Sequence, residues 1–276
     1  MKYGGIDFGN GFTKVCFDDH QECFPSLVAK SHPNKWGSGE TSVGFDAARD
    51  AQNIGYEVVS PIILGTPILK DEFNLLVKKA VSHIVSTGEE FSVCAGLPYD
   101  AISQKQTIIS ALRSAGAVKQ WIVPQAFGTA IYEELTSCII CSIGWGTTEW
   151  LIVNNGKPTW GKSDDMAVSH IVSEMDKTGA DYVDRTIFEH PDAKKKKIEL
   201  ADHIIYNYKK ISMKEKKPYT LLFSGGGILV QDMKELFYKS NIKFDISDDP
   251  VNSNALGMKI HAKRMGEKES NSNSNI

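Results

Sequence analysis

The sequence lacks a long apolar run. Among its 276 residues, no continuous apolar stretch reaches the length of about 20 residues that a membrane-spanning helix requires. The first residues enter a β-prone segment without a basic and then apolar leader, so no signal peptide is predicted. Apolar residues make up 41% of the chain and charged residues 24%, which is typical of a soluble globular protein. No contact with a membrane is expected.

Cysteine is scarce, and its pattern is not that of a disulfide framework. The five cysteines are an odd number in a long chain, which argues against a secreted, disulfide-stabilised domain. Cys138 and Cys141 have the spacing of a metal knuckle, but no second pair of ligands is spaced to complete a site. Their apolar neighbours favour buried strand positions. We therefore expect a reducing compartment, the cytoplasm.

An excess of positive charge is also absent. The net charge of −3 excludes a strongly basic surface over the whole protein, so direct and specific DNA binding is not expected. The basic run Lys194–Lys197 is interpreted as the solvated lead-in to a helix, with a local basic patch as the alternative.

Two glycine-containing hairpins are the main positive feature. The stretch Tyr3–Lys14 predicts a strand ending at Asp7, a turn through Gly9–Gly11, and a second strand over Phe12–Phe17. Asn-Gly between β-prone runs is a strong hairpin signal, because both residues tolerate positive φ. The segment Ile139–Val153 repeats this pattern. The repeat predicts two related half-domains that face each other across a cleft.

The residues of these turns suit the binding of a polyphosphate. Glycines let backbone N–H groups approach an anion, and successive N–H groups form an anion-binding concavity. Lys14 adds a point charge, and Thr147 and Thr148 add hydroxyl donors. Asp7 is placed to hold a hydrated Mg²⁺. For either copy alone, an ordinary tight hairpin with a solvated Asp is the alternative interpretation.

The rest of the chain alternates β-prone and amphipathic segments, which predicts the α/β class. Helices are predicted over Asp71–Ser86, Ile102–Ala115, Ala126–Leu135, Val168–Lys177, Ile198–Ser212, Ile228–Ser240 and Asn252–Lys263. A third glycine cluster, Gly225–Gly227, lies at a strand–helix junction, where a helix N-terminus offers free N–H groups.

In order and spacing, these segments resemble the nucleotide cleft of the actin, Hsp70 and sugar-kinase superfamily. Asp7–Lys14 resembles the first phosphate motif, Ser142–Thr148 the second, and Phe223–Leu229 the adenosine motif. Pro124–Ala130 and Asp249–Gly257 resemble the two connecting helices. The resemblance spans nearly the whole chain and implies an actin-like two-domain ATPase fold with the nucleotide between the domains.

Within the superfamily, the chain resembles bacterial actins of the plasmid-segregating ParM type. The segments that carry this resemblance are Ala95–Pro98 and the Asn-Ala-Leu-Gly segment near the C-terminus. In these proteins, an additional subdomain called IIB usually occupies the interval that residues 178–197 fill in this chain. These residues are too few to form another packed core. The resemblance implies four parts: domain I (1–124, with a small insertion around 18–60), domain II (125–249, without IIB), a helix returning to domain I (250–266), and a disordered tail (267–276).

The resemblance also assigns roles at the site. Asp7 would organise Mg²⁺ on the β- and γ-phosphates of ATP or GTP, and Gln125 would orient the attacking water. The nucleotide-binding residues that it implies are Gly9, Asn10, Gly11, Phe12, Lys14, Gly144, Trp145, Gly146, Thr147, Gly225, Gly226, Gly227 and Ile228.

Two positions depart from the family pattern. Ser142 stands where an Asp of the Mg²⁺ site is usual, and Trp145 fills a turn position that is usually small or polar. We therefore expect weaker metal coordination and slow or altered hydrolysis, with nucleotide binding retained.

The implied function is a nucleotide-dependent filament that moves or separates plasmid copies, reaching DNA through an adaptor protein bound to a centromere-like site. Two alternatives remain from the sequence. One is a small-molecule kinase of the same superfamily, and the other is a non-hydrolysing actin-like scaffold for division or pilus assembly.

Overall fold

The structure is a computed structural model that describes residues 1–31, 40–52, 55–86, 89–172, 188–215 and 219–273. The strands are β1 (Lys2–Phe8), β2 (Phe12–Phe17), β3 (His20–Pro25), β4 (Val28–Ser31), β5 (Thr41–Val43), β6 (Tyr56–Val59), β7 (Ile62–Ile63), β8 (Thr66–Pro67), β9 (Phe91–Leu97), β10 (Lys119–Pro124), β11 (Cys138–Ile143), β12 (Thr148–Asn154), β13 (Lys157–Asp164), β14 (Thr220–Ser224) and β15 (Phe244–Ile246). The helices are α1 (Phe45–Asp50), α2 (Lys70–Ser82), α3 (Lys105–Ser114), α4 (Phe127–Tyr132), α5 (Val168–Val172), α6 (Pro191–Lys214), α7 (Met233–Lys239) and α8 (Ser253–Asn273).

Two five-stranded sheets share one topology. The first has the order β10-β9-β1-β2-β3, and the second has the order β15-β14-β11-β12-β13. In each sheet an antiparallel hairpin lies beside two parallel strands: β1–β2 next to β9 and β10, and β11–β12 next to β14 and β15. The predicted hairpins and the α/β class are therefore present, and the chain contains two halves built on the same plan.

Helices cover both faces of each sheet. The buried face of α2, predicted from its helical period, packs with α3 on the outer side of the first sheet. On the second sheet, α6 and α7 form the corresponding outer layer. α8 packs on the inner face of the first sheet and α4 on that of the second, so these two helices lie between the sheets. Among the described helices, none combines the length and apolarity that crossing a bilayer requires.

The two inner helices cross at a pair of glycines. A Cβ on Gly257 would lie 1.7 Å from the carbonyl oxygen of Gly128, so only glycine permits this approach. Beside the crossing, Thr129 Oγ1 donates to Asn254 Oδ1 at 2.7 Å and lies 2.8 Å from Ser253 Oγ. α4 leads the chain from the first sheet to the second, and α8 brings it back. These helices are the segments that the sequence resemblance pairs as connecting helices.

A small sheet of order β5-β4-β6, with α1 beside it, lies within the predicted insertion. Near the predicted start of the insertion, β3 pairs with β2 as part of the first sheet. The strands of the first sheet all precede residue 125, and those of the second lie between residues 138 and 246. The division at residue 124 stays a prediction. Most of the interval where subdomain IIB would be inserted, residues 173–187, lies outside the described residues.

The C-terminal tail is not disordered over residues 267–273, where our prediction was wrong. α8 continues to Asn273, past the serines and asparagines that indicated disorder. The hydroxyl groups of Ser270 and Ser272 each donate a hydrogen bond of 2.9 Å to the backbone carbonyl oxygen four residues earlier. Glu269 forms an ion pair of 2.5 Å with Lys119 on β10. These contacts continue the helix along the first sheet; residues 274–276 lie outside the described residues.

The basic run also differs from its prediction, because α6 begins at Pro191 and includes it. Lys197 is 3% exposed and shares the inward face of the helix with Ala193 and Leu200. Its Nζ donates to Asp232 Oδ2 at 3.0 Å and to the carbonyl oxygen of Gln231 at 3.2 Å. The interpretation as a solvated lead-in is therefore wrong for Lys197, whose charge is paired inside the protein.

Candidate functional site

The turns of the two hairpins face each other across the junction of the halves. A Cβ on Gly11 would lie 2.8 Å from Trp145 Cβ, and a Cβ on Gly146 would lie 2.0 Å from Asn10 Nδ2. Such distances are below van der Waals contact, so each turn accepts the other only because these positions are glycine. The two halves thus meet at the turns that the sequence singles out.

The third glycine cluster lies at the same place. β14 runs parallel to β11 with Ser224 in register with Ser142, so both strands end at one edge of the second sheet. Gly225 has φ 81°, and a Cβ on it would lie 2.3 Å from the carbonyl oxygen of Ile143. Gly226 faces open space: apart from its chain neighbours, no described residue has a heavy atom within 4 Å of its ideal Cβ position. The three glycine segments therefore converge at the junction.

Asp7 lies near the end of β1, just before the first turn. Its side chain is 1% exposed and its Oδ2 lies 3.1 Å from Lys14 Nζ, because the hairpin register places Asp7 opposite Lys14. Gln125 Nε2 donates to the other carboxylate oxygen, Oδ1. Gln125 reaches this position from the end of β10, where its backbone N–H donates to Leu97 O at 2.8 Å. Both predicted catalytic residues thus contact each other, and both carboxylate oxygens of Asp7 have a donor.

Backbone and hydroxyl groups hold the first turn in shape. Ser26 Oγ donates to the carbonyl oxygen of Gly9 at 2.6 Å, and Ser26 N–H donates to that of Gly11 at 2.9 Å. Thr13 Oγ1 lies 2.9 Å from Ser26 Oγ. Phe12 is half-buried at the start of β2, opposite Pro25. The turn is therefore preorganised by β3 and the segment that follows it.

The second turn is closed by a hydrogen bond from Gly144 N–H to the carbonyl oxygen of Thr147, 2.9 Å long. The carbonyl oxygen of Trp145 accepts from the N–H of Ser169, at 2.7 Å, in α5. Thr147 is half-buried at the junction, whereas Thr148 is buried and its hydroxyl donates to Met166 O at 2.6 Å. The prediction that Thr148 offers its hydroxyl to a ligand is therefore wrong, because that proton is used inside the second half.

Ile228 and Ser142 are also inside the protein. Ile228 is fully buried in the core of the second sheet, so only its backbone remains for a ligand. Ser142 is 7% exposed at the end of β11, opposite Glu149 on β12. Among the described residues, no group of three or more His, Cys, Asp and Glu side chains could hold a metal ion. A lone carboxylate, Asp7, fits a Mg²⁺ that keeps most of its waters and binds through phosphates.

Sequence reasoning missed Glu149, a buried carboxylate at the start of β12. Its Oε1 accepts from Tyr99 N–H at 3.1 Å and its Oε2 accepts from Ala126 N–H at 3.0 Å. Burial raises the pKa of Glu149 to about 8, and the nearby carboxylates Asp7 and Asp100 act in the same direction. The available signal was a charged residue directly before the apolar run Trp150–Val153.

The raised pKa of Glu149 predicts that stability falls with rising pH. A carboxyl with an ordinary pKa of 4.5 that titrates near 8 in the folded state keeps its proton there, while the unfolded chain loses it. Its stabilising contribution is therefore complete below pH 4.5 and is lost as the pH rises through 8, at up to about 1.4 kcal/mol per pH unit. Urea unfolding from pH 5 to 8 measures the slope, and Glu149→Gln should flatten it. An equal slope in that variant would contradict the assignment.

Sequence reasoning also missed the contact between Asn10 and a surface hairpin. Asn10 Oδ1 accepts from Gly65 N–H at 2.6 Å, and the backbone carbonyl of Asn10 accepts from Ser60 Oγ at 3.3 Å. Gly65 lies in the turn between β7 and β8, with φ 72°, where a Cβ would meet Pro98. The first turn is therefore fixed on its outer side as well.

Comparison with known proteins agrees with this architecture. Residues 5–125 match the family model described as actin like proteins N terminal domain. A comparison with curated proteins finds no match. Among solved structures, MreB5 of Spiroplasma citri bound to AMPPNP is 17% identical, with a TM-score of 0.79 and 98% of each chain covered.

Two other similar structures extend the comparison. The MamK double helical filament is 15% identical, with a TM-score of 0.82, covering 95% of this chain and 98% of that chain. The apo pSK41 ParM protein is 17% identical, with a TM-score of 0.67, covering 97% of this chain and 98% of that chain. The chain therefore has the actin-like α/β fold, with two sheet-containing halves and the three glycine segments at their junction.

Proposed function

We propose that this protein is a filament-forming nucleoside triphosphatase, in which ATP or GTP with Mg²⁺ binds between the two hairpins and controls self-association. The observation that carries the proposal is the convergence of three glycine segments at the junction, where Asp7 and Lys14 of the first hairpin also contact each other and Gln125. The relatives add support, since MreB5 is described with bound AMPPNP and MamK as a double helical filament.

The residues at the junction have different proposed roles in phosphoryl transfer. The two turns offer backbone N–H groups to the phosphates, and Lys14 offers its ammonium group. Asp7 would hold Mg²⁺ through water, and the metal would supply charge neutralisation at the phosphates. Gly226 is the position with room for the nucleoside.

Gln125 is the proposed water-positioning residue. Its amide nitrogen donates to Asp7, so its amide oxygen is the atom left to accept a hydrogen bond from the attacking water. A neutral amide orients water without being a strong base, which suits a reaction where positioning and charge neutralisation supply most of the catalysis.

Self-association follows from the two-half construction. A γ-phosphate held by both turns would fix the relative orientation of the halves, and its loss would relax it. Head-to-tail contacts between copies that do not close into a ring build a helical filament. Nucleotide state would then set the stability of that filament.

The finer proposal is plasmid segregation. It rests on the sequence resemblance to ParM-type actins and, for a chain without subdomain IIB, to the plasmid protein AlfA. The net charge of −3 fits a filament that reaches DNA through a bound adaptor protein rather than by direct contact. Pull-down of the filament with centromere DNA, with and without a candidate adaptor, tests this step.

Light scattering on addition of ATP or GTP with Mg²⁺ tests the proposed function. A rise in scattering that reverses as phosphate is released supports it, and EDTA should abolish the rise. Polymer that ignores the nucleotide would instead support a non-hydrolysing scaffold, for which the replacement of the usual Asp by Ser142 is the favouring observation. No polymer under any condition would contradict the proposal.

Restoring a carboxylate at position 142 is expected to raise turnover. Ser142→Asp places an acidic group at the end of β11, where it would add an outer contact for hydrated Mg²⁺. Phosphate release should increase several-fold, with a lower Mg²⁺ concentration for half-maximal rate. Ser142→Asn, which has nearly the same shape without the charge, is the matched control. An unchanged rate in Ser142→Asp would count against the metal role of this position.

A further inference from the structure

Glu149 joins the second hairpin to the segment that carries Gln125. It lies on β12 in the second sheet, yet its two oxygens accept N–H groups from outside that sheet. One donor is Tyr99, which follows β9 of the first sheet; the other is Ala126, which directly follows Gln125. With 3% of its surface exposed, Glu149 makes these contacts out of water.

The contact with Ala126 fixes the peptide group next to Gln125. The carbonyl of Gln125 and the N–H of Ala126 belong to one planar peptide, so a bond to that N–H sets the orientation of the whole group. On the other side, Gln125 N–H donates to Leu97 O at 2.8 Å. In addition, a Cβ on Gly96 would lie only 3.0 Å from Gln125 Cα, so the backbone at Gln125 has little room to move.

We propose that Glu149 is a positioning residue that acts through Gln125: it transmits the state of the second hairpin to the residue that orients the attacking water. This inference rests on the proposed function. Glu149 and Thr147 are separated by a single residue on the hairpin, so a phosphate drawn against the turn moves the strand that holds the Ala126 peptide. Hydrolysis would then require both hairpins to be engaged.

The geometry defines a discriminating substitution. Both carboxylate oxygens accept an N–H group, whereas a glutamine accepts on one side only and presents its own N–H₂ to the other donor. Glu149→Gln therefore keeps the side-chain volume and loses one of the two hydrogen bonds. Glu149→Asp keeps the carboxyl group but is shorter and cannot span both donors, so it provides a second variant. Glu57→Gln on the exposed surface of β6 is the matched control.

The expected result is a selective loss of turnover. Glu149→Gln should lower kcat for phosphate release roughly 10- to 100-fold and change the Kd of AMPPNP less than threefold, since no ligand contact is removed. The decisive comparison is a double-mutant cycle with Gln125→Ala. Residues that act as a unit are not additive, so the double variant should be no slower than Gln125→Ala alone.

Hydrogen exchange at the Ala126 amide gives a second measurement that does not depend on hydrolysis. Exchange should accelerate at least tenfold in Glu149→Asp, which cannot span both donors, and stay unchanged in Glu57→Gln. Additive losses in the cycle, or an unchanged kcat in Glu149→Gln, would overturn the inference while leaving the proposed function intact. Absence of both phosphate release and AMPPNP binding in the unaltered protein would overturn both.

Discussion

Replacing Asp7 by Asn is expected to lower phosphate release by at least about 100-fold, the scale seen when one preorganised electrostatic contact is removed from an active site. Asp7 accepts from Lys14 on one oxygen and from Gln125 on the other. An Asn accepts on one side only, so either Lys14, the proposed phosphate-binding cation, or Gln125, the proposed water-positioning residue, loses its partner. The charge that would hold hydrated Mg²⁺ is lost as well.

The control for this variant is Asp18→Asn. Asp18 follows the second strand of the same hairpin, exposed and away from the turn, and its positive φ of 43° is one that asparagine also tolerates. The rate of phosphate release, measured with malachite green, should be unchanged in Asp18→Asn. A rate in Asp7→Asn within threefold of the unaltered protein would exclude Asp7 from the reaction.

The crossing of α4 and α8 predicts the largest effect on stability. A methyl group on Gly257 would fall 1.7 Å from the carbonyl oxygen of Gly128, a backbone atom that cannot rotate away. Gly257→Ala must therefore push the two helices apart, and with them the packing between the halves. Overpacking usually costs about 1–3 kcal/mol, and a backbone clash of this kind should exceed about 3 kcal/mol.

Urea unfolding measures this loss, with Lys263→Ala as the control. Lys263 is exposed on the same helix, and alanine is a good helix former, so its replacement should change the free energy of unfolding by less than about 0.5 kcal/mol. An unfolding midpoint of Gly257→Ala equal to that of the unaltered protein would show that the crossing is looser than the structure has it.

The local parts of the site could be predicted from the sequence because their signals are local. The hairpin lies where Asn-Gly between two β-prone runs predicted it, although neither Asn10 nor Gly11 has the positive φ that the signal assumes. The register of that hairpin alone brings Lys14 opposite Asp7. The repetition of the pattern at Ile139–Val153 predicted the second hairpin and a second, related half. The two sheets of the structure have corresponding strand orders.

Contacts between distant segments could not be predicted in this way. Gln125 meets Asp7 from a strand 118 residues further along the chain, and only a resemblance to known proteins indicated that meeting. Nothing local pairs Glu149 with the N–H of Ala126, because the bond exists only after both sheets are assembled.

Composition misled where long-range packing decides. Serine and asparagine indicated a disordered tail, but α8 continues to Asn273, and Glu269 on it pairs with Lys119 of the first sheet. Lysine indicated a solvated run, but Lys197 falls on the inward face of α6 and finds Asp232.

The most direct test of the account is a calorimetric titration of AMPPNP with Mg²⁺ into the unaltered protein and into one variant of each hairpin. Lys14→Gln removes the cation of the first hairpin, and Gly146→Ala places a methyl group against Asn10 from the second. Lys162→Gln, exposed on β13, is the control. We expect one site per chain in the unaltered protein and the control, and at least a tenfold weaker Kd in each hairpin variant. Equal affinity in all four proteins, or no binding in any, would contradict it.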